Sequence, residues 1–391
     1  MRSRQEVAVE DETAGFAAYL VVEASDKDIS FGGTRIDPSV TRDMVVDLAD
    51  TMSLKLAGHG SPVGGAKAGL RAAPDDPRLK LFLNRFAEAC RDLLSSTTIL
   101  GKDMGAKQWM LDEIYRALQI PQLAVARRHA GSTRCPDRLA DLDGYIHNMT
   151  GQGVFWSIEQ ALSGALAGAR VLIQGFGVVG SGAAWHLYRS GAKIVGVSDH
   201  LKAVLNPDGL EVDTLMQAKD ESGILIEQQL PVRCVVADRD ELLVQSADVL
   251  ILAAGSYLVD GNNAPLIRAP LVVEAANVAI RAEARKALHQ RGVRVVPDVV
   301  ANSSSAAMVG HQIASGNTIR PQALWAGIKA SITRNTDAVH RLSQEWDLDS
   351  RSAFRRMAEV ERTCATPAEQ TAGGVPARRE HRVSTFAPTG G

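Results

Sequence analysis

Cysteine is scarce in this chain: Cys90, Cys135, Cys234 and Cys364 are the four, far apart and with no C-x-x-C pair. Such scattered thiols read as free cysteines of a reducing cytoplasm, and they argue against a zinc site, so no metal ligand is assigned. No stretch approaches the roughly 18 consecutive apolar residues that a membrane-spanning helix needs. An excess of one charge is also missing. Lys and Arg number 43 against 45 Asp and Glu, a net charge of −2. No basic face is offered to nucleic acid, and no acidic block marks a disordered tail. Met1 to Thr13 is polar, without the apolar core of a signal peptide.

Hydrophobic residues make up 45 % and charged residues 23 %, and 391 residues suffice for two domains with cores of their own. Within this ordinary composition, Ser53 to Leu70 stands out. Lys55 follows an amphipathic run, Val40, Met44, Val45, Leu48, Ala49 and Met52, that steps at helical spacing. That phase puts Lys55 on the core-facing stripe, where a charge is costly. Lys67 lies twelve residues on, after Pro62-Val63-Gly64-Gly65, which no regular helix or strand tolerates well and which reads as a glycine-rich turn. A lone lysine on an apolar stripe ordinarily snorkels to water. Two directed inward, one from a helix and one from a loop, suggest a site for a carboxylate and for proton transfer. Asp103 lies in a later loop, Gly101 to Gly105.

Strands are expected at Phe16 to Ser25, Ile29 to Ile36 and Thr97 to Leu100. Helices are expected from Pro38, from Arg78 to about Leu93, and from Lys107 to Leu118. Residues 125 to 148 are polar and arginine-rich and read as a surface connection. After a helix over Thr150 to Leu166 the pattern changes. Val171-Leu172-Ile173 runs directly into Gly175-Phe176-Gly177-Val178-Val179-Gly180. A helix follows, then a strand from Lys193 to Val197 that closes at Asp199.

A lone G-x-G-x-x-G says little, but this one sits in a strand-turn-helix-strand unit. Its glycines allow a tight turn, close approach of a pyrophosphate, and close packing of helix on sheet. The helix N-terminus offers free N–H groups to phosphate. Asp199 is placed to accept hydrogen bonds from the ribose hydroxyls, which favours NAD, while His200 and Lys202 leave NADP open. Further strands at Val249 to Ala253, Leu271 to Glu274 and Val293 to Val296, with helices between, predict an α/β, doubly wound parallel sheet. Ala323 to Val360 reads as helical, and Thr371 to Gly391 as a disordered tail.

The order of these motifs resembles the glutamate/leucine/phenylalanine/valine dehydrogenase superfamily. The matching segments span about residues 15 to 360: Gly32-Gly33-Thr34-Arg35-Ile36, Met52 to Lys55, Pro62 to Gly69, Lys102 to Gly105, Thr150 to Val154, Gln174 to Gly180, Asn206 to Leu210, Ala253-Ala254, Glu274 to Asn277 and Val296 to Asn302. The resemblance implies a substrate-binding and oligomerisation domain over 1–149 and a Rossmann-type dinucleotide domain over 150–316. Helices over 317–370 would pack back on the first domain, with a tail at 371–391. It implies that Lys55 and Gly32 lie in the substrate site, Lys55 on the α-carboxylate, and that Lys67 and Asp103 are catalytic. Asn302 would line the substrate site. Gly175, Gly177, Val178, Val179, Gly180, Asp199, Ala253, Ala254, Thr150 and Asn277 would hold the dinucleotide, the last two near the nicotinamide. The implied reaction is reversible oxidative deamination of an L-amino acid to a 2-oxo acid and ammonium in a homo-oligomer.

Glutamate enzymes of that family carry a lysine just before the Gly-Gly pair, on the side-chain carboxylate, where this chain has Phe31. Val309 stands where those enzymes have a serine. An apolar residue cannot pair with a carboxylate, so an uncharged substrate side chain, aliphatic or aromatic, is expected. Asn302-Ser303-Ser304-Ser305-Ala306-Ala307 departs from the Asn-Ala-Gly-Gly of the family. A glutamate dehydrogenase and a weakly active, dinucleotide-binding regulatory relative are the alternatives.

Overall fold

The computed structural model describes residues 3–130, 148–220, 223–230, 232–315 and 321–364. The expected tail and much of the 125–148 connection fall outside them. Two sheets organise the chain. The first has the order β1-β2-β4-β3-β5, built from β1 (Gln5–Asp11), β2 (Phe16–Val22), β3 (Ile29–Ile36), β4 (Val63–Arg71) and β5 (Thr98–Lys102). β1 pairs antiparallel with β2, and β2 with β4, while β3 runs parallel to β4 and β5. The edge strand β1 lies in the terminal stretch that reads as merely polar, and it alternates half-buried Val7 and Val9 with exposed neighbours.

Strand periodicity divides this core into two layers. Phe16, Ala18 and Leu20 of β2 face α2 (Leu79–Ala89) and α4 (Gln108–Leu118), where Phe16 stacks on Phe82 at 4.3 Å. Ala17, Tyr19 and Val21 face Val40, which precedes α1 (Arg42–Gly58), and Val45 and Ala49 within it. Thr41 caps α1 by accepting the Met44 N–H at 3.2 Å. The expected helix from Arg78 to Leu93 is two, α2 and α3 (Arg91–Ser96), broken at Cys90. Residues 124–130 form α5 (Ala124–Ala130) rather than a polar connection, and Val125 and Ala126 are buried against Phe31.

The segment around Lys67 departs most from expectation: Pro62 to Gly69 leads into a buried strand, not a glycine loop. The glycines are there for close approach. A Cβ on Gly65 would stand 2.3 Å from the Ser53 backbone nitrogen, and one on Gly69 would stand 2.4 Å from a Val45 methyl. They let α1 lie directly on β4, so Lys55 and Lys67 converge from helix and strand.

The second sheet has the order β12-β11-β10-β6-β7-β8-β9. Its parallel part is β6 (Arg170–Gln174), β7 (Lys193–Ser198), β10 (Val249–Leu252), β11 (Leu271–Glu274) and β12 (Arg294–Val296). β8 (Lys202–Leu205) and β9 (Val235–Asp238) extend one edge antiparallel, so the sheet is mixed where a parallel one was expected. α6 (Met149–Ala161), α7 (Val178–Arg189), α8 (Val212–Gln217) and α9 (Ala282–Gln290) belong to this half, followed by α10 (Asp298–Ala301) and α11 (Ser304–Ser315). The last helical stretch is again two, α12 (Pro321–Trp346) and α13 (Ser350–Cys364). Both return to α1: Asn335 Nδ2 donates to the Gly58 carbonyl at 2.8 Å, and Arg351 donates to Thr51 Oγ1 at 2.7 Å. None of the described helices is long and apolar enough to cross a membrane.

Candidate active site

A cleft of about 360 Å³ opens between the two sheets. Phe31, Gly33 and Arg35 line it from alternate positions of β3, with Met52 and Lys55 of α1, Lys67 of β4, and Lys102 and Asp103 at the end of β5. The alternation puts Gly32 on the other face of its strand, where a Cβ would stand 1.9 Å from the Ala66 carbonyl oxygen, so Gly33 is the glycine at the cleft. From the opposite side come Thr150, Val179, Ala253, Ala254, Asn277, Asn302, Ser305 and Val309. Residues from Phe31 to Val309 of the sequence thus meet in one cavity.

Lys67 is 3 % exposed, and its ammonium donates to Asp103 Oδ2. Arg35, also buried, lies 3.5 Å from the same oxygen. Burial pushes the Lys67 pKa below the ordinary lysine range; Asp103 opposes this and Arg35 adds to it. The cation pressing on Lys67 is therefore Arg35. Burial would raise the Asp103 carboxyl, but Lys67 and Arg35 reverse that and hold it down to about 2. Lys55 is 5 % exposed, and burial lowers it to about 8 against the pull of Asp298. Lys55 Nζ donates to Asn277 Oδ1 at 2.6 Å, an oxygen that also accepts from Asn302 Nδ2 at 3.0 Å. Lys55 of α1 thus meets amides from the second half of the chain across the cleft.

The three serines that stand in place of the Ala-Gly-Gly of the resembled motif each fasten something different. Ser303 Oγ lies 2.8 Å from His59 Nε2 at the end of α1. Ser304 donates to the Met149 carbonyl at 2.9 Å, and Ser305 Oγ lies 2.8 Å from Thr150 Oγ1 in the cleft. Sequence reading treated this segment only as a departure and missed Ser305. It missed Arg35 as well, although Arg35 lies inside a quoted motif at strand spacing from Phe31 and Gly33.

Beside the cleft, Gly175 follows β6 with φ +97°, a conformation that favours glycine. A Cβ there would stand 2.5 Å from the Ala254 backbone, and one on Gly180 would stand 1.9 Å from the Gly175 carbonyl oxygen. Gly177 has no atom within 4 Å of its Cβ position, so the turn presents bare backbone and the N-terminus of α7. Gly175 and Ala253 end neighbouring strands β6 and β10 where the strand order reverses, the place at which open α/β sheets bind ligands. Bare backbone, helix terminus and switch point together suit a pyrophosphate. Asp199 is 6 % exposed and already engaged. Its Oδ1 accepts from the Leu201 and Lys202 N–H groups at 2.7 and 2.9 Å, and its Oδ2 from that of Leu225 at 2.9 Å. The acid expected to face a ribose thus also fixes the surrounding loops.

Two family profiles match this chain. Residues 3–119 match the Glu/Leu/Phe/Val dehydrogenase dimerisation domain, and residues 145–367 match the Glutamate/Leucine/Phenylalanine/Valine dehydrogenase domain. The chain belongs to the Glu/Leu/Phe/Val dehydrogenase family. Among the relatives of this family member, the NADP-specific glutamate dehydrogenase of Saccharolobus shibatae is 32 % identical over 283 residues, 70 % of this chain. The catabolic NAD-specific glutamate dehydrogenase of Bacillus subtilis is 33 % identical over 286 residues, again 70 % of this chain. The chain spans 64 % of the length of each of these curated relatives. Among solved structures, a hetero-hexameric glutamate dehydrogenase from Thermus thermophilus in a leucine-bound form superposes with a TM-score of 0.71 at 27 % identity. That superposition covers 93 % of this chain and 89 % of the other.

Proposed function

We propose that this family member catalyses NAD(P)-dependent oxidative deamination of an L-amino acid, and the reverse reductive amination. The observation that carries the reading is the convergence of Lys55, Lys67 and Asp103 in one cleft beside the bare-backbone turn at Gly175 to Gly180. The dinucleotide, when bound along that turn, supplies the hydride acceptor. Thr150, Val178, Val179, Ala253, Ala254 and Asn277 complete its walls, and Asp199 closes the ribose end. The relatives named for NAD and for NADP both fit an engaged Asp199 with His200 and Lys202 nearby.

The roles of the chain's own residues follow from their charge. Lys55, protonated, holds the substrate α-carboxylate, steadied by Asn277 and Asn302. Loss of hydride from Cα leaves an iminium that water attacks. Lys67, whose pKa burial depresses, polarises that water and takes up its proton. Asp103, ionised and paired with Lys67, moves protons to and from the amino group. Lys67 and, after it, Arg35 keep Asp103 ionised. The two halves, taken as 1–149 and 150–316 with the C-terminal helices of 317–370 packed back on the first, exclude water when they close.

Phe31, Met52 and Val309 pack together with Ile29, Leu56, Ile99 and Leu123, so the side-chain end of the cleft is apolar. This supports a substrate with an uncharged side chain. Glutamate is the second reading, favoured by the names of the relatives and by Lys102 at the cleft. NADH oxidation with ammonium and a panel of 2-oxo acids separates the two. Turnover with branched-chain or aromatic acids is expected; turnover with 2-oxoglutarate alone would overturn the apolar pocket. We further assign the chain to the cytoplasm, from its scattered cysteines, and to a homo-oligomer, from the dimerisation profile its N-terminal part matches. Light scattering tests the latter, and a monomer at micromolar concentration would refute it.

A further inference from the structure

We infer that Asp298 and Arg351 are positioning residues for Lys55: they fix the turn that carries its partner Asn277 and hold the helix that carries Lys55 itself. The inference rests on the dehydrogenase reading above and adds two residues that it did not contain.

Val278, next to Asn277, has φ +52°, a left-handed conformation that a β-branched residue rarely adopts. Such a residue persists where its neighbours over-determine it. The Val278 N–H donates to Asp298 Oδ2 at 2.8 Å, and its carbonyl accepts from the Tyr257 N–H at 2.8 Å. The Asn277 carbonyl accepts from the Ser256 hydroxyl at 2.8 Å. Held in this way, Asn277 turns its amide oxygen toward Lys55 Nζ.

Asp298 is fully buried, and its second oxygen accepts from the Val299 N–H at 2.9 Å and from the Arg351 guanidinium. Arg351 reaches onward from α13 to α1, donating to Thr51 Oγ1 at 2.7 Å and lying 3.4 Å from Asp50. Thr51 and Lys55 are four residues apart and lie on one face of α1. One arginine therefore grips both the helix that carries Lys55 and the acid that sets its partner.

Asp298 also acts on Lys55 through its charge, which holds the lysine pKa up, while the Arg351 charge pulls the other way. Burial lowers Lys55, and the charges facing it are Asp298, Lys67, Asp103 and Arg351, with Asp298 the strongest. Only a protonated lysine holds a carboxylate, and Asp298 is the main group that keeps it protonated. Arg351 is needed in turn, because a buried carboxylate without a partner neutralises itself.

The test compares wild type with Asp298→Asn and Arg351→Lys. The amino-acid KM, measured from about pH 7 to about pH 10, should rise tenfold or more above pH 8 in Asp298→Asn, the loss expected when Lys55 titrates about one unit lower. Loss of kcat should be smaller, and the NADH dissociation constant unchanged. Arg351→Lys keeps the charge without the double reach, and its KM should move the same way by less. Independently of turnover, acetic anhydride labelling of Lys55 against pH, read by mass spectrometry, should show an earlier midpoint in Asp298→Asn. An unchanged midpoint with a parallel KM profile, or a loss confined to thermal stability, would overturn the inference. If the wild type turns over no amino acid, the dehydrogenase reading falls, while the labelling midpoint still decides the link between Asp298 and Lys55. Should Asp298→Asn fail to fold, Arg351→Lys carries both measurements, and an unshifted midpoint there overturns the inference equally.

Discussion

Lys67 carries the chemistry of the proposed site, because burial and the Arg35 guanidinium make it hold its proton less tightly than an ordinary lysine does. Lys67→Ala should abolish turnover while NADH still binds, as read by quenching of protein fluorescence; near-normal turnover would remove Lys67 from the mechanism. Lys55 gives a pH signature of its own. It holds its proton less tightly folded than unfolded, between about 8 and the ordinary 10.5. Over that window the unfolded chain binds more protons, so the Lys55 contribution makes stability rise with pH. Carboxylate binding falls over the same window as Lys55 loses its charge. Unfolding free energy from chemical denaturation and KM, measured at pH 8 and 10, should therefore rise together, affinity falling as stability grows. The sequence revealed Lys55, Lys67 and Asp103 because charges on apolar periodicity and in glycine motifs are conspicuous. It hid Arg351, which sits on an arginine-rich helix among similar neighbours and acquires its role only through Asp298 and Thr51, 53 and 300 residues away.

At the level of elements, glycine was the residue most easily misread. Gly64 and Gly65 look like a loop because strands disfavour glycine, yet both lie in β4; Gly65 is there because α1 needs contact with backbone rather than side chains, and Gly64 leaves room for Ser25 and Ser30. Gly65→Ala should cost about 1–3 kcal/mol, since the Ser53 backbone cannot move aside as a side chain can. It should also lower activity by displacing Lys55; an unchanged melting temperature would refute this packing. Gly177→Ala is the counterpart. With open space at its Cβ position, it should fold normally and weaken dinucleotide binding. Strand β6, the turn after it and α7 were legible because the turn motif and both apolar periods agree. The antiparallel edge of β8 and β9 was not, because both strands are short and β9 is largely exposed, leaving little hydrophobic pattern to read.

Across the whole molecule, α1 is where the two halves meet. Beyond Lys55 and Asn277, the Tyr257 hydroxyl donates to Asp47 Oδ2 at 2.6 Å from the opposite lip of the cleft. This contact is exposed, so Tyr257→Phe should change stability by less than about 1 kcal/mol. It should nevertheless loosen closure, seen as a larger radius of gyration in small-angle scattering and a raised amino-acid KM. An unaltered scattering profile with unaltered kinetics would show that the latch is idle. Two halves, a cleft and a dinucleotide sheet were legible from motif order, whereas the return of the C-terminal helices onto α1 was only implied by resemblance.

That return fixes the order in which the site can come into being. Both sheets and every residue lining the cleft are synthesised by Val309, yet Lys55 lacks its full setting until Arg351 arrives from α13. Between Val309 and Arg351 a growing chain therefore holds the proposed carboxylate site unfinished, and the docking of α13 on α1 completes it. A chain ending at Trp346 should keep the secondary structure of both sheets and bind NADH, but fail to saturate with amino acid.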